Sequence, residues 1–421
     1  MKGLGELNEY RNTYKTAMLI AMACVLQISE SLIPHPLPGL RLGLANMITI
    51  IAMVTLGVHY AVEIAVMRTI VSALIMGSFM SPAFILSFSA AVISTLVMAL
   101  LYKISQFNYR GRLSIIGISI IGALFHNIVQ ICLAFFLLIR HPGIFVFLPW
   151  LCIGAVLMGG VTGVVAARVC QILNKHEFFP SQVAGKMHPR KIQHIFPRSC
   201  SFHNPSGWDM PYLPGSSFVH RLAAEIKIVL IFSLSLLVLI FSNLWLYFWL
   251  FLFLSSVLVI SQTSVNFLFA KTKPASALIL AAFLLPLFFN SDFGLADFKI
   301  TADGLTTGIL FALRIVFLIS LSAVLVRTTS PEALVKGLTR ILSPLRVLKI
   351  SQKRIAAVLY LSWTAIPGFW EIARHALRSS ELKKIKNLCN IVPLLSEFIA
   401  AMYLEVEFRS HKMVDNASKF A

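Results

Sequence analysis

Residues 228–270 read IVLIFSLSLLVLIFSNLWLYFWLFLFLSSVLVISQTSVNFLFA, 43 positions without a lysine, arginine, aspartate or glutamate. As helix this run would extend about 65 Å at 1.5 Å per residue. A hydrocarbon core of about 30 Å needs only about 20 residues to cross. The run therefore reads as two spans that turn near Ser242-Asn243. Outward from it the same character recurs: Thr69–Tyr102, Leu113–Ile139 and His141–Ala167 are equally free of charge. Over all 421 residues, 58% are hydrophobic and 13% charged, where a soluble domain carries about 25% charged residues. The expected fold class is an all-α membrane protein.

The formal net charge is +19. Its basic residues fall between apolar segments, so retention of cytoplasmic loops explains them and a nucleic-acid partner is not implied. Six spans are expected in the first half, near residues 15–33, 43–58, 60–78, 82–102, 113–139 and 145–172. With the N-terminus cytoplasmic, Lys103, Arg110, Arg112 and the basic stretch after Arg168 lie inside, against Arg41 and Arg140 outside. The positive-inside rule favours that orientation. The first apolar run lacks a clear small-residue cleavage site, so an uncleaved first span is expected.

A membrane domain over 1–173 gives way to a Pro-rich, basic linker over 174–217, with Pro180, Pro189, Pro197, Pro205, Pro211 and Pro214. Its expected state is solvated and irregular. The second domain, 218–421, is expected to place spans near 226–242, 244–262, 275–291 and 305–326. Lys271 and Lys273 would then lie inside, and Asp292, Asp297, Lys299 and Asp303 outside. Beyond Arg327, apolar stretches such as Ile355–Trp370 and Asn387–Leu404 alternate with basic residues, in the manner of amphipathic helices at a cytoplasmic surface.

Catalytic signatures are missing. The chain has no adjacent aspartates, which disfavours a Mg²⁺-held diphosphate. Gly185-Lys186-Met187 lacks the Ser/Thr and the earlier glycine of a P-loop. No enzymatic activity or cofactor is expected. His188, His194, Cys200 and His203 fit no zinc spacing, and the six cysteines form no CxxC pair, so no metal is expected. Polar groups inside apolar spans carry more information, because burying them in lipid costs several kcal/mol unless a partner or cavity receives them. In the first half these are Glu30, Asn46, Glu63, Arg68, His126, Asn127 and Gln130. Arg68 stands five positions after Glu63, a poor helical pair, so other helices must supply its partner. For Asn46 and Gln130 inter-helix hydrogen bonding is the simpler role, and Arg314 reads as a structural anchor. Arg68, His126, Asn127, Glu30 and Asn46 are the candidate substrate-binding residues.

The segments Glu30-Ser-Leu-Ile-Pro34, Pro38-Gly39, Leu42-Gly-Leu-Ala-Asn46, Arg68 and Gly122-Ala-Leu-Phe-His-Asn127 resemble the Gx transporter family, whose members are often labelled heptaprenyl diphosphate synthase component I. That family's six-helix layout is similar to the substrate-capturing S components of energy-coupling factor (ECF) transporters. Over 218–411, His220-Arg221-Leu222, Thr328-Thr329-Ser-Pro331-Glu332, Leu342-Ser-Pro-Leu345 and Ile366-Pro367 resemble, in order, the CbiQ-like T component of those transporters. Two coupling helices of that family each end in an X-Arg-X motif. The matching positions are Leu377-Arg378-Ser379 and Phe408-Arg409-Ser410, without the usual flanking Ala and Gly. The resemblance implies a six-helix S-component-like bundle fused to a T-component-like domain. It implies ATPase coupling through Arg378 and Arg409, separate ECF/ABC-type ATPase subunits as partners, and a small-molecule substrate.

Three readings follow: a fused membrane component of an ECF-type importer in the plasma membrane, an accessory membrane subunit of polyprenyl diphosphate synthesis, and an assembly protein that uses only the T-like surface. Copurification of ATPases, of a soluble prenyl synthase, or of neither separates them. The expected sidedness is testable directly. Single cysteines at Ser105 and Ser216, in a background without native cysteines, should resist an impermeant thiol reagent added to intact cells.

Overall fold

The computed structural model describes residues 2–31, 43–107, 113–178, 212–241, 243–288, 302–341, 352–378 and 391–419. The linker candidates His188, His194, Cys200 and His203, and the segments 32–42, 289–301 and 342–351, lie outside them. Among the described residues every regular element is helical. A backbone crossing lipid must satisfy its own polar groups, and a helix does so within one segment.

The first half contains α1 (Lys2–Ser31), α2 (Leu44–Thr55), α3 (Val58–Met76), α4 (Pro82–Phe107), α5 (Ile115–Leu133) and α6 (Leu148–Phe178). A π-helical turn, Ala134–Ile139, extends α5, and a 3₁₀ turn, Pro142–Phe147, leads into α6. These follow the six expected spans. Among the described residues seven helical stretches are long and apolar enough to cross a membrane, four of them in this half, from α3 to α6. The chain is a multi-pass membrane protein. α1 and α2 are not among the seven, because α1 mixes polar residues into its length and α2 is only 12 residues long. Both are instead enclosed by protein. Leu19, Ile20, Ala21 and Met22 of α1 and Met47, Ile48 and Ile51 of α2 have no exposed surface. By contrast Leu96 and Leu100 of α4 and Leu157 of α6 are at least half exposed, the surface that lipid covers.

The tightest pairing in this half is α5 against α6. A Cβ built on Gly159 would stand 2.9 Å from the Ile120 Cα, and one on Gly163 would stand 2.8 Å from the Ile116 Cα. This is the small-xxx-small spacing by which membrane helices bring their backbones together without a hydrophobic driving force. Ser119 and Thr162 exchange a 3.1 Å hydrogen bond across the same seam.

In the second half the run that opened the analysis divides where expected. α8 (Ala224–Ile240) follows a single turn, α7 (Phe218–Arg221), and α9 (Leu244–Ile260) starts with the Asn243 side chain accepting from the Trp245 amide at 3.0 Å. The next span begins earlier than the expected residue 275. After a turn in which Gln262 takes φ 53°, α10 (Val265–Thr272) runs through one 3₁₀ turn into α11 (Ser276–Phe288). Lys271 and Lys273 therefore sit on helix, not in a connecting loop. α12 (Ala302–Thr328), α13 (Pro331–Ile341), α14 (Gln352–Arg378) and α15 (Ile391–Lys419) complete the chain. α14 is one continuous helix through Pro367, and its Arg354–Arg374 portion is long and apolar enough to cross a membrane.

The halves share their cores. One apolar cluster joins α1, α2 and α3 to Val358 and Leu359 of α14 and to Ile399 and Met402 of α15. A second joins α3, α4, α5 and α6 to α8, α9, α11 and α12. Polar contacts fix their relative placement. Lys271 Nζ donates to the Met76 carbonyl at 2.7 Å and Ser322 Oγ to the Phe79 carbonyl at 2.7 Å. Arg314 donates to the Leu137 and Leu138 carbonyls at 3.4 and 3.1 Å. The Ser322 and Arg314 contacts meet α12 eight residues apart, about 12 Å along its axis.

Gly163→Ala should be costly although alanine favours helix, because its Cβ would press on the Ile116 backbone. The expected loss is about 1–3 kcal/mol, read as a lower unfolding temperature in detergent than wild type. Gly160→Ala, with open space around its Cβ position, should be neutral.

Candidate functional site

A cavity of about 50 Å³ lies inside the first half, lined by α1 to α6. All five candidate substrate residues, Glu30, Asn46, Arg68, His126 and Asn127, line it. They come from four helices and up to 97 positions apart in sequence, so the bundle has gathered them. Their geometry shows that most also hold the bundle together.

Arg68 on α3 is 4% exposed. Its Nη1 donates to Gln27 Oε1 of α1 at 3.0 Å and its Nη2 to Asn46 Oδ1 of α2. A planar guanidinium presents donors in a fixed fork, and here that fork joins three helices. Its partners do come from other helices, and Asn46 has the inter-helix role that favoured packing. The Arg68 carbonyl also accepts from Cys24 Sγ of α1 at 3.4 Å.

Glu30 takes a role that the sequence reading did not assign. Its two oxygens accept from the Gly43 and Leu44 amides at 3.0 and 3.2 Å. These are the amides of the N-cap and of the first residue of α2, and Gly43, in the left-handed conformation at φ 76°, offers no side chain to cap the helix. A carboxylate from the preceding helix satisfies orphan donors and meets the positive end of the helix dipole. Asn127 Nδ2 donates to the Leu151 carbonyl of α6 at 2.8 Å. His126, half-buried on α5, faces the same space.

Other lining groups escaped notice in the sequence: Gln27, Thr69, Ser87, Ser119 and Thr162. Serine and threonine in a span are unremarkable, since their hydroxyls return to the carbonyls of their own helix, as Thr69 and Thr162 do. The Gly159/Gly163 spacing was the available signal for the α5–α6 seam that carries Ser119 and Thr162. The rest of the wall is apolar, mostly small residues such as Ala45, Ala91, Ala123, Ala155 and Gly159, with Ile50, Met98 and Met158 among them. A water occupies roughly 10–15 Å³ on this measure, so the space holds a few waters. A substrate of more than a few heavy atoms requires the helices to part.

Arg314 behaves as the anchor it resembled, fully buried and donating to two α5 carbonyls and to the Tyr247 hydroxyl. Arg378 is the last residue of α14, and Arg409 lies within α15. The side chains of both are outside the described residues. Two positions before Arg409, Glu407 pairs with Lys15 of α1 at 2.5 Å.

Two families match the chain in succession. Heptaprenyl diphosphate synthase component I matches residues 19–169, and cobalt transport protein (CbiQ) matches residues 215–402. The second half is similar to energy-coupling factor transporter transmembrane proteins (EcfT). That of Bacillus subtilis is 28% identical over 208 residues, 47% of this chain and 78% of the relative. Those of Exiguobacterium sibiricum and Streptococcus thermophilus are 26% and 25% identical, over 47% and 50% of this chain and 79% and 86% of theirs. The chain thus resembles a fusion of the two families.

Glu30→Ala removes the cap of α2 and should cost about 1–2 kcal/mol, whereas Glu30→Gln, which keeps one acceptor, should lose less. Thermal unfolding of the purified protein in detergent measures the order wild type, Gln, Ala.

Proposed function

We propose that this chain is the membrane component of an ECF-type ATP-driven importer, joining small-molecule capture to coupling with separate ATPase subunits in the plasma membrane. The observation that carries the reading is the likeness of the second half to EcfT proteins and to the cobalt transport family. These relatives are transporter components. The gathering of the five candidate residues around one cavity in the first half supports the capture role. In this reading Arg68, His126, Asn127, Glu30 and Asn46 belong to the capture site. Arg68, Asn46 and Glu30 shape it by holding α1, α2 and α3, and His126 meets the ligand. The cavity walls, mixing amides and hydroxyls with alanines, suit a compact polar or amphipathic molecule. The N-terminus and linker are cytoplasmic, on the ATPase side.

Coupling is assigned to Arg378 and Arg409. Arginine's rigid fork of donors suits carboxylates or helix-terminal carbonyls in a partner's groove. Losing one side of a buried charged contact typically costs about 2–5 kcal/mol, enough to weaken a complex by about two orders of magnitude. Arg378→Glu or Arg409→Glu should abolish pull-down of the ATPase subunits, and Arg→Lys at either position should weaken it. Expression and the small molecules retained by the purified protein, read by mass spectrometry, should not change, because neither arginine lies in the first half. Undiminished pull-down by the double Arg→Glu variant would remove the coupling role. Copurification of a prenyl synthase in place of ATPases would favour the polyprenyl reading.

A further inference from the structure

Among the described residues that line the cavity, Glu30 and Arg68 carry opposite formal charges, and His126 adds one only when protonated. Glu30 and Arg68 are both buried, at 5 and 4% exposure. The protein already engages each. The Glu30 oxygens hold the Gly43 and Leu44 amides, and the Arg68 Nη atoms hold Gln27 and Asn46. A guanidinium can only donate, so the amide atoms facing it are oxygens, and the amide nitrogens of Gln27 and Asn46 are left to donate elsewhere. Asn127 is the reverse, since its Nδ2 serves the Leu151 carbonyl and its oxygen is left to accept. The hydroxyls of Thr69, Ser119 and Thr162 are bonded within the protein. Ser87 of α4 is the exception. It lines the cavity at 7% exposure, and its Oγ has no hydrogen-bond partner, although a helical serine ordinarily returns to a carbonyl of its own helix. An unmet buried hydroxyl is costly, and a ligand in the cavity would meet it.

We propose that the capture site takes a molecule without net charge, recognised through hydrogen bonds that include the Ser87 hydroxyl. This rests on the capture role proposed above and narrows it. A net charge moved from water into the cavity needs an opposite charge to answer it. The two charges present offset one another, and the bundle holds both. An uncharged ligand carries no such requirement. Its carbonyl or ether oxygens can accept from Gln27, Asn46 and Ser87, and a hydroxyl or amide N–H can donate to Asn127. Met98 and Met158 among the alanines suit a short hydrocarbon part. Amides, ketones and alcohols belong to this class, whereas carboxylates, phosphates and amines bring a charge that the site does not balance.

The test uses the full-length chain without native cysteines, carrying Ser87→Cys. A second protein carries Ser216→Cys, at an exposed position, as the reference for intrinsic reactivity. Both are labelled in detergent at about pH 8, above the ordinary imidazole range. The probes are hydroxyethyl, sulfonatoethyl and trimethylammonioethyl methanethiosulfonate, which are neutral, anionic and cationic and of similar length. Relative to Ser216→Cys, Ser87→Cys should react faster with the neutral probe than with either charged one, by about tenfold. Burial alone would give that preference, so the deciding measurement unbalances the charge. Glu30→Gln leaves Arg68 in surplus and should raise the anionic-to-cationic rate ratio at Ser87→Cys, a ratio from which the thiolate fraction cancels. Asn46→Asp, which keeps an acceptor for Arg68, should lower it. Each shift should be about tenfold, the effect of one unit charge at about 10 Å and an effective dielectric constant of about 20. A charged probe that outpaces the neutral one in the unaltered site, or a ratio that neither substitution moves, would overturn the charge assignment and leave the capture role standing. No reaction with any probe would overturn the inference together with the capture role. Variants must elute at the volume of the unaltered protein. Should one fail to fold, the other decides, because each has its own expected direction.

Discussion

Helices that end inside a membrane protein leave carbonyls without donors, and this architecture satisfies them with cations from distant helices. Arg314 illustrates the device. The π-turn that ends α5 leaves the Leu137 and Leu138 carbonyls open, and a fully buried guanidinium from α12 fills both. The end of α8 is treated likewise, with the Leu239 carbonyl accepting from Arg140 and the Val238 carbonyl from Tyr247. Lys271 meets the last carbonyl of α3, and Lys227 meets that of α12 at 2.9 Å. Each cation brings its positive charge to the negative end of a helix, where an unmet carbonyl away from water is expensive. Three of the four cations reach from one half to the other, so the same interactions that finish the helices also set how the halves meet.

That arrangement gives the cavity its setting. α1 and α2 are too polar or too short to stand in lipid, and both are wrapped by other helices. The cavity forms where they meet α3, α4, α5 and α6. Arg68 serves the interior as Arg314 serves the junction, with amides from α1 and α2 as its acceptors. Glu30 does the opposite task at a helix start, bringing a negative charge to the first amides of α2. In the proposed capture site, binding residues and structural residues are the same groups. Those that would meet a ligand also decide whether the helices stay together, and with a cavity of about 50 Å³ admitting a ligand of more than a few atoms would disturb those links.

The ion pairs Lys15–Glu407 and Glu63–Arg354 extend the network to the C-terminal helices. α1 carries Gln27 and Glu30 at one end and Lys15 nearer the other, and α3 carries both Glu63 and Arg68. α15 carries Glu407 beside Arg409, and α14 begins near Arg354 and ends at Arg378. Helices therefore run from the cavity wall to the segments proposed for ATPase coupling, with one ion pair at each crossing.

The sequence alone determined the class, the six spans of the first half and the residues of interest. Lipid imposes a length and a polarity that leave their record in uninterrupted runs such as 228–270, and a polar group in such a run stands out because its burial is expensive. Arg68, His126, Asn127, Glu30 and Asn46 were legible for that reason, and they line one cavity. Their roles were not legible. That Asn46 receives Arg68, or that Glu30 caps α2, depends on which helices become neighbours, and a run of leucines and isoleucines packs on many partners with similar energy. Nor could the sequence show that Lys271 belongs to a helix that starts at Val265, or that the halves share two cores. Hydropathy reports a residue's preference between water and lipid. Only the tertiary structure decides between lipid and protein, because there the choice rests on close fit, as at Gly159 and Gly163, and on which charge finds which helix end.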